Sequence, residues 1–290
     1  MHEGLILCRF VHFGAVLLLF GLLLFRRLFK ASLTPSEHGP VARRVDDLNR
    51  WLAAVALLSA VAWLMLTAGS MAGDWRDMLV PDTVALVLGS TFFGHVWIVH
   101  LFLALLVLLG ACTPRRMPVA LQTVLVTLLL WTLAPVGHGA MFDGVRGQLL
   151  IVNQMIHLSG VGLWLGGLLM LALLLAAPGA LDLRAILQRF SGIGYMLVAT
   201  IIVTGLINVR ALSGGFWPQP AFSGFGLVLA VKAGLVLAML VLALINRTLA
   251  RAGSLNVAAL RVSVGLECAF GASALAAVSL LGTLPPMLMG

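Results

Sequence analysis

Charged residues are scarce in this chain. Only 10% of its 290 residues are Asp, Glu, Lys or Arg, whereas 61% are hydrophobic. An ordinary soluble domain has about 25% charged residues and about 45–50% apolar residues. The mean hydropathy is +1.11. Because a helix of about 20 apolar residues crosses a bilayer, helices of this kind would occupy nearly the whole chain. The sequence predicts an all-α integral membrane protein surrounded by lipid, with no soluble catalytic domain and no enzymatic activity.

Cysteines are also few. Cys8, Cys112 and Cys268 stand in or beside different hydrophobic stretches and form no CxxC pair, so we expect no disulfide framework. The formal net charge is +8, but lysine and arginine are enriched in the cytoplasmic loops of membrane proteins. We therefore infer no nucleic-acid site.

Apolar runs separated by charged or Pro/Gly-containing segments predict about eight membrane-spanning helices. Their approximate ranges are 4–26, 48–70, 84–109, 118–136, 149–175, 190–211, 225–246 and 261–284. No long linker or low-complexity tail divides them, so residues 1–290 are expected to form a single transmembrane domain.

The basic residues are distributed unevenly between the predicted loops. Of the 18 lysines and arginines, 13 lie in the loops that follow the first, third, fifth and seventh predicted helices. Only Arg76, Arg146 and Arg210 lie in the opposite loops. By the positive-inside rule, both termini are expected on the periplasmic side of a bacterial inner membrane.

The two halves of the chain resemble each other when one is shifted by 145 residues, with small offsets in places. The paired positions include His12 with His157, Gly21 with Gly166, His100 with Lys232, and Thr132 with Thr283. This pattern predicts a parallel four-plus-four repeat, with halves 1–145 and 146–290 related by an axis along the membrane normal. Function is then expected between the halves.

Several ionisable side chains stand inside predicted spans, where they are costly and usually face a partner, a cavity or a pathway. His12 and His157 lie at similar depths, about 12–14 Å below the outer ends of their helices, so a shared site is geometrically feasible. Lys232 either snorkels outward or sets the field of a cation pathway, and Arg9 has the same two interpretations. The depths of Lys232 and Glu267 do not favour an ion pair.

Imidazole and sulfur groups gather toward the outer side of the predicted helices. The candidate metal ligands are His138, His157, His12, Met155, Met141 and Cys8, with His95 and His100 as weaker candidates. This ligand set suits copper, and Cu(I) in particular where sulfur takes part, whereas Mg²⁺ or Ca²⁺ would need carboxylates. The alternative is structural: the histidines hydrogen-bond across helices, and the methionines and cysteine pack in the core.

A series of short motifs resembles the copper resistance protein D (CopD) family. They are Gly137-His138-Gly139-Ala140, Ile156-His157-Leu158, Leu163-Trp164-Leu165-Gly166-Gly167-Leu168, Arg189-Phe190-Ser191, Thr204-Gly205, Lys232, Asn246-Arg247 and Leu281-Gly282-Thr283-Leu284-Pro285-Pro286. The resemblance covers most of the chain and is strongest from residue 130 onward.

The resemblance implies an inner-membrane protein that moves copper, as Cu(I) or Cu(II), from the periplasm toward the cytoplasm and contributes to copper homeostasis or resistance. It also implies a separate periplasmic copper-binding partner of the CopC type. Within this sequence it marks His138 and His157, with His12 as the counterpart in the first half. Asn153 and Gln154 stand where many family members have an acidic residue, so a carboxylate ligand is not carried over.

Two other functions stay open from the sequence. A b-type haem protein would use His12 and His157 as axial ligands for electron transfer. An assembly subunit would instead keep the histidines as structural residues and bind another membrane protein through the surface around Trp164-Leu165-Gly166-Gly167. No Walker loop accompanies the copper hypothesis, so a gradient, the membrane potential or a donor would have to drive transport.

Overall fold

The computed structural model describes residues 1–29, 40–113, 117–137, 142–176, 182–218, 222–251 and 256–283. Within these ranges it contains helices and no strand. The α-helices are α1 (His2–Leu28), α2 (Pro40–Ala72), α3 (Pro81–Ser90), α4 (Phe92–Cys112), α5 (Val119–Trp131), α6 (Gly144–Ala176), α7 (Leu183–Ser213), α8 (Gly224–Arg251) and α9 (Val257–Leu281). A short 3-10 helix, Trp75–Leu79, lies between α2 and α3.

Seven of the described helices are long and apolar enough to cross a membrane: α1, α2, α4, α6, α7, α8 and α9. The remaining predicted span, 118–136, contains α5, which has 13 residues and is therefore about 20 Å long. Turns continue the chain from the end of α5 to residue 137. The prediction of an all-α polytopic membrane protein is confirmed.

The predicted span 84–109 is divided into α3 and α4 at Thr91. The Thr91 backbone is extended, with φ −112° and ψ 149°, and its side chain accepts a hydrogen bond from the Gly94 amide at 2.8 Å. A Cβ atom at Gly94 would lie 2.1 Å from the Val87 carbonyl oxygen, so only glycine permits this corner. Since both arms are apolar, the hydrophobic pattern does not reveal the break.

Helices α1 and α6 form the centre of the bundle and pack against each other. Helix α1 also contacts α2, α5 and α9, and helix α6 contacts α7, α9 and α5. If α1 is matched with α6, α2 with α7, and α5 with α9, the two sets of neighbours are the same. This arrangement agrees with two similar halves that meet at α1 and α6.

Glycines allow the central helices to approach closely. A Cβ atom at Gly21 would lie 2.0 Å from the Gly162 carbonyl oxygen and 2.7 Å from the Gly166 Cα atom. Small residues at such crossings let helix backbones pack together within a membrane. His12 and His157 each stand nine residues before the crossing glycine of their own helix, so the crossing places them at similar depths.

Glu267 is buried in α9, with 1% of its surface exposed. The side-chain amide of Asn246 on α8 donates a hydrogen bond to its carboxyl oxygen. The described residues form ion pairs at Arg26–Asp46 and Arg50–Asp47, and none between Lys232 and Glu267. This finding agrees with the expectation from their depths.

Candidate metal site and cavity

His12 of α1 is fully buried and is held by a hydroxyl group of α2. Its Nδ1 atom lies 2.9 Å from Ser59 Oγ, and Ser59 Oγ donates its single proton to the Val55 carbonyl oxygen at 2.5 Å. With that proton directed at a backbone carbonyl, Ser59 Oγ is assigned as the acceptor of a hydrogen bond from the His12 Nδ1–H group. This assignment leaves the lone pair on His12 Nε2, which is buried and has no hydrogen-bond partner among the described residues.

His100 of α4 is also fully buried and has the same kind of support. Its Nδ1 atom lies 2.7 Å from Thr132 Oγ1 at the end of α5, and that hydroxyl donates to the Leu129 carbonyl oxygen at 2.7 Å. By the same proton count, His100 Nε2 carries a lone pair, and this atom too lacks a partner in the part of the chain that the structure describes.

The two imidazole rings lie side by side. The ring centroids of His12 and His100 are 4.9 Å apart with an interplanar angle of 60°. We call these two residues the histidine pair. Two helices thus bring two imidazole rings together, and each ring is fixed by a hydrogen bond at its Nδ1 atom, as is usual for histidines that ligate metals.

Two indole rings enclose the histidine pair. Trp97 stacks on His100 with a centroid distance of 4.6 Å, and Trp63 lies 5.5 Å from His12. The Trp97 indole N–H donates to the Ala60 carbonyl oxygen at 2.9 Å, which fixes the ring. Because both indoles are almost fully buried, they leave little room for water around the pair.

His157 occupies the matching position in the second half. Its Nδ1 atom lies 2.8 Å from Thr204 Oγ1 on α7, and that hydroxyl donates to the Thr200 carbonyl oxygen at 2.5 Å. His157 therefore has the same proton arrangement as His12. Unlike His12, it lines a cavity of about 240 Å³.

The α1–α2 and α6–α7 interfaces follow one plan. In the first the Cys8 thiol donates to the Ser59 carbonyl oxygen at 3.3 Å, and in the second the Asn153 amide donates to the Thr204 carbonyl oxygen at 3.0 Å. The equivalent positions, 145 residues apart, are Cys8 and Asn153, Arg9 and Gln154, His12 and His157, Ser59 and Thr204, and Trp63 and Asn208. The sequence repeat therefore extends to the hydrogen bonds.

The cavity beside His157 is lined by basic side chains. Arg9 and Lys232 line it, together with the amide side chains of Gln154 and Asn208. None of its described lining residues is acidic. The Arg9 guanidinium stacks over the Trp63 ring at 4.9 Å, and its Nε atom is buried without a hydrogen-bond partner among the described residues.

The structure groups the candidate residues differently from the shared site considered above. His12 lies beside His100, whereas His157 faces the cavity, and His12 is not among the residues that line it. The weaker candidate, His100, is thus a member of the pair. A haem held between His12 and His157 gains no support from this arrangement.

The other candidate ligands lie apart from the histidine pair or outside the described residues. His95 is exposed and hydrogen-bonds through Nε2 to the Gly89 carbonyl at 3.1 Å. Met155 is partly buried and packs against the main core. His138 and Met141 lie outside the described residues. Within the described ranges, no group of three or more His, Cys, Asp or Glu side chains is arranged to hold a metal ion.

Sequence reasoning missed the hydroxyl groups that orient the histidines, Ser59, Thr132 and Thr204, as well as the two enclosing indoles. The sequence did contain a signal for Ser59 and Thr204, because the shift of 145 residues that matches the histidines also matches these two residues. The indoles had no such signal, since their partners in the second half are not aromatic.

The fold and the buried histidines define a polytopic membrane protein with a candidate metal site inside its helix bundle. The family model described as Copper resistance protein D-like, N-terminal domain, matches residues 1–148, and that described as Copper resistance protein D matches residues 184–281. The chain belongs to the copper resistance protein D family, which confirms the resemblance seen in its motifs.

Curated relatives match along most of the chain. It is 34% identical to the inner membrane protein YebZ of Escherichia coli over 96% of this chain and 97% of that protein. It is 29% identical to copper resistance protein D of Pseudomonas syringae over 96% of this chain and 95% of that protein. It is 26% identical to the copper transport protein CutJ of Bacillus subtilis over 73% of this chain and 40% of that protein. No solved structure shows a significant match.

The relatives and the helices together establish where the protein is located. Seven described helices can cross a membrane, and a relative that matches nearly its whole length is named an inner membrane protein. The chain is a multi-pass protein of the inner membrane with a copper-related function.

Proposed function

We propose that this protein carries copper ions across the inner membrane, from the periplasm to the cytoplasm, and that the histidine pair binds the ion on its route. The observation that carries the proposal is the pair itself: two adjacent buried rings, each with an unpartnered Nε2 atom. A buried polar atom without a partner costs about 1–3 kcal/mol. Binding of a metal ion to both Nε2 atoms would offset that cost.

The small number of ligands favours Cu(I). A structural zinc site has four protein ligands, and Mg²⁺ and Ca²⁺ take six or more oxygen ligands. Imidazole suits copper, and Cu(I) forms stable complexes with only two nitrogen donors. The names of the relatives from Pseudomonas and Bacillus, which refer to copper resistance and copper transport, support copper as the ion.

His157 is proposed as a further ligand on the route. Its Nε2 atom carries a lone pair by the same proton count as in His12, and it lies at a similar depth beside a cavity. We propose His138, with Met141 or Met155, as the ligands that collect copper at the outer side. A separate periplasmic protein of the CopC type would deliver the ion there.

The membrane potential is the proposed driving force. An interior-negative potential favours the entry of a monovalent cation by about 2.3 kcal/mol per 100 mV, and the sequence contains no Walker loop for ATP. The proposed direction is the one that the family resemblance implies, and the potential favours it.

A Cu(I) titration tests the proposal. Detergent-purified protein is titrated anaerobically with Cu(I) against a chromogenic chelator, with His12→Ala and His100→Ala beside the wild type. His95→Ala is the matched control, because His95 lies on the same helix as His100 and is exposed. Loss of an orienting partner alone weakens metal sites by about 10–100-fold, so the loss of a ligand should weaken Cu(I) binding at least as much.

The same proteins are then reconstituted into vesicles, and copper uptake is measured with an interior-negative potential. We expect His12→Ala and His100→Ala to lose uptake while His95→Ala keeps it, with all variants retaining a cooperative thermal unfolding transition. Wild-type protein that binds no Cu(I), or pair variants that bind it as tightly as the wild type, would refute the histidine pair as the site. A Soret band in the purified protein would instead identify a haem protein.

A further inference from the structure

The cavity beside His157 has no acidic side chain, among its described lining residues, to balance the charge of a copper ion bound to His157. Arg9 and Lys232 both line its wall, and no acidic residue does so among those described. His157 lines the same cavity as these two basic side chains. A copper ion bound to His157 would meet uncompensated positive charge, weakly screened in this apolar space, unless an anion entered with it.

The lining groups can instead donate hydrogen bonds to an anion. The guanidinium of arginine and the ammonium of lysine have donors and no acceptor. Arg9 and Lys232 both line the cavity, and neither forms an ion pair with a described acidic residue. The rest of the wall is mostly apolar, with residues such as Trp164, Ile201 and Leu229, which would strengthen the attraction between these cations and an anion.

Side-chain size accounts for the open space beside His157. Where the first half has Trp63, the second has Asn208, and where the first half has Trp97, six residues after Thr91, the second has Leu229, six residues after Ser223. Asn208 and Leu229 both line the cavity. The space filled by two indoles around the histidine pair is therefore partly open around His157.

We propose that this cavity binds a small soluble monoanion, such as a halide or a short carboxylate, between Arg9 and Lys232. The volume of about 240 Å³ accommodates such an ion with a few water molecules. A second role rests on the proposed function: the anion would compensate the charge of the copper ion, which has no carboxylate ligand in the described site. Anion binding itself does not depend on copper.

Ligand-dependent thermal stability provides the test. Wild-type protein in a zwitterionic detergent and gluconate buffer is titrated with chloride, and separately with acetate, at constant ionic strength. A ligand that binds only the folded protein raises the unfolding temperature in a saturable manner. We expect a saturable rise for the wild type and at least a tenfold weaker apparent affinity for Lys232→Met, because hydrogen bonds to charged groups are strong.

Two further variants make the result specific. Lys232→Arg keeps the charge and should retain most of the affinity. Arg251→Met removes an exposed cation from the last turn of the same helix and should bind the anion as the wild type does. Wild-type protein with no saturable response, or Lys232→Met with unchanged affinity, would overturn the proposal.

A lipid headgroup is the competing source of negative charge. The titration is therefore repeated in bilayer discs of phosphatidylcholine alone and with phosphatidylglycerol. Stabilisation that requires phosphatidylglycerol and does not respond to free chloride or acetate would contradict the proposal. Cu(I) titration separates the two proposals. Lys232→Met is expected to lose anion affinity while its histidine pair still binds Cu(I). Wild-type protein that binds the anion but no Cu(I) would refute the copper site alone.

Discussion

Replacement of Gly21 by alanine tests the packing that joins the two halves. The new Cβ atom would lie 2.0 Å from the Gly162 carbonyl oxygen, so α1 and α6 would have to separate by about 1 Å or more to restore an ordinary contact. The two nearest atoms, the Gly162 carbonyl oxygen and the Gly166 Cα atom, belong to the backbone, so no side chain can rotate away. Overpacking of this kind costs about 1–3 kcal/mol, while alanine recovers up to about 1 kcal/mol of helix propensity.

We therefore expect Gly21→Ala to lose about 1–2 kcal/mol, which corresponds to a fall of roughly 2–8 °C in the unfolding temperature. Circular dichroism of the detergent-solubilised protein measures this unfolding temperature. Gly14→Ala is the matched control on the same helix, because its Cβ would make an ordinary contact with Leu275 at 3.5 Å. Gly14→Ala should be neutral or slightly stabilising. A Gly21→Ala protein that unfolds at the wild-type temperature would show that the helices do not cross this closely.

Two other substitutions test the site and the corner before α4. Ser59→Ala removes the acceptor for the His12 Nδ1–H group, so Cu(I) affinity should fall by about 10–100-fold in the chelator titration. Ser59→Thr should retain the wild-type Cu(I) affinity. A Ser59→Ala protein that binds Cu(I) as tightly as the wild type would contradict the assigned role of Ser59. Gly94→Ala places a Cβ 2.1 Å from the Val87 carbonyl and should lower the unfolding temperature by several degrees, whereas Gly89→Ala, with open space around its Cβ, should not.

The length and order of the apolar runs predicted most of the helices because a bilayer requires long apolar segments. The differences arise where hydropathy carries no information. Thr91 and Gly94 break one predicted span through backbone geometry, although the residues on both sides are apolar. Polar residues extend α2 and α7 beyond the predicted hydrophobic limits, to Pro40 and Leu183.

The identity of the buried histidines was predictable, but their grouping was not. Depth follows from the position along a helix, and on that basis His12 and His157 are equivalent. The direction of a side chain around the helix axis depends on which neighbours pack there, so two residues at one depth can face different partners. His12 faces α2 and α4, and His157 faces α7 and the cavity. The partner of His12 is therefore His100, which depth alone had made a weaker candidate.

Comparison of the two halves separates what orients a histidine from what surrounds it. The hydrogen bond from imidazole Nδ1 to a hydroxyl on the next helix is the same at His12 and His157, so this feature cannot account for any difference in their chemistry. The differences lie in the surrounding residues. A second histidine and two indoles enclose His12, while Lys232 stands at the position matched with that second histidine and a cavity replaces the indoles. The histidine pair of the first half presents two imidazole rings, whereas the cavity, lined by residues of both halves, presents the basic side chains of Arg9 and Lys232. We infer that binding of both ions would let the bundle hold a copper cation without a carboxylate ligand.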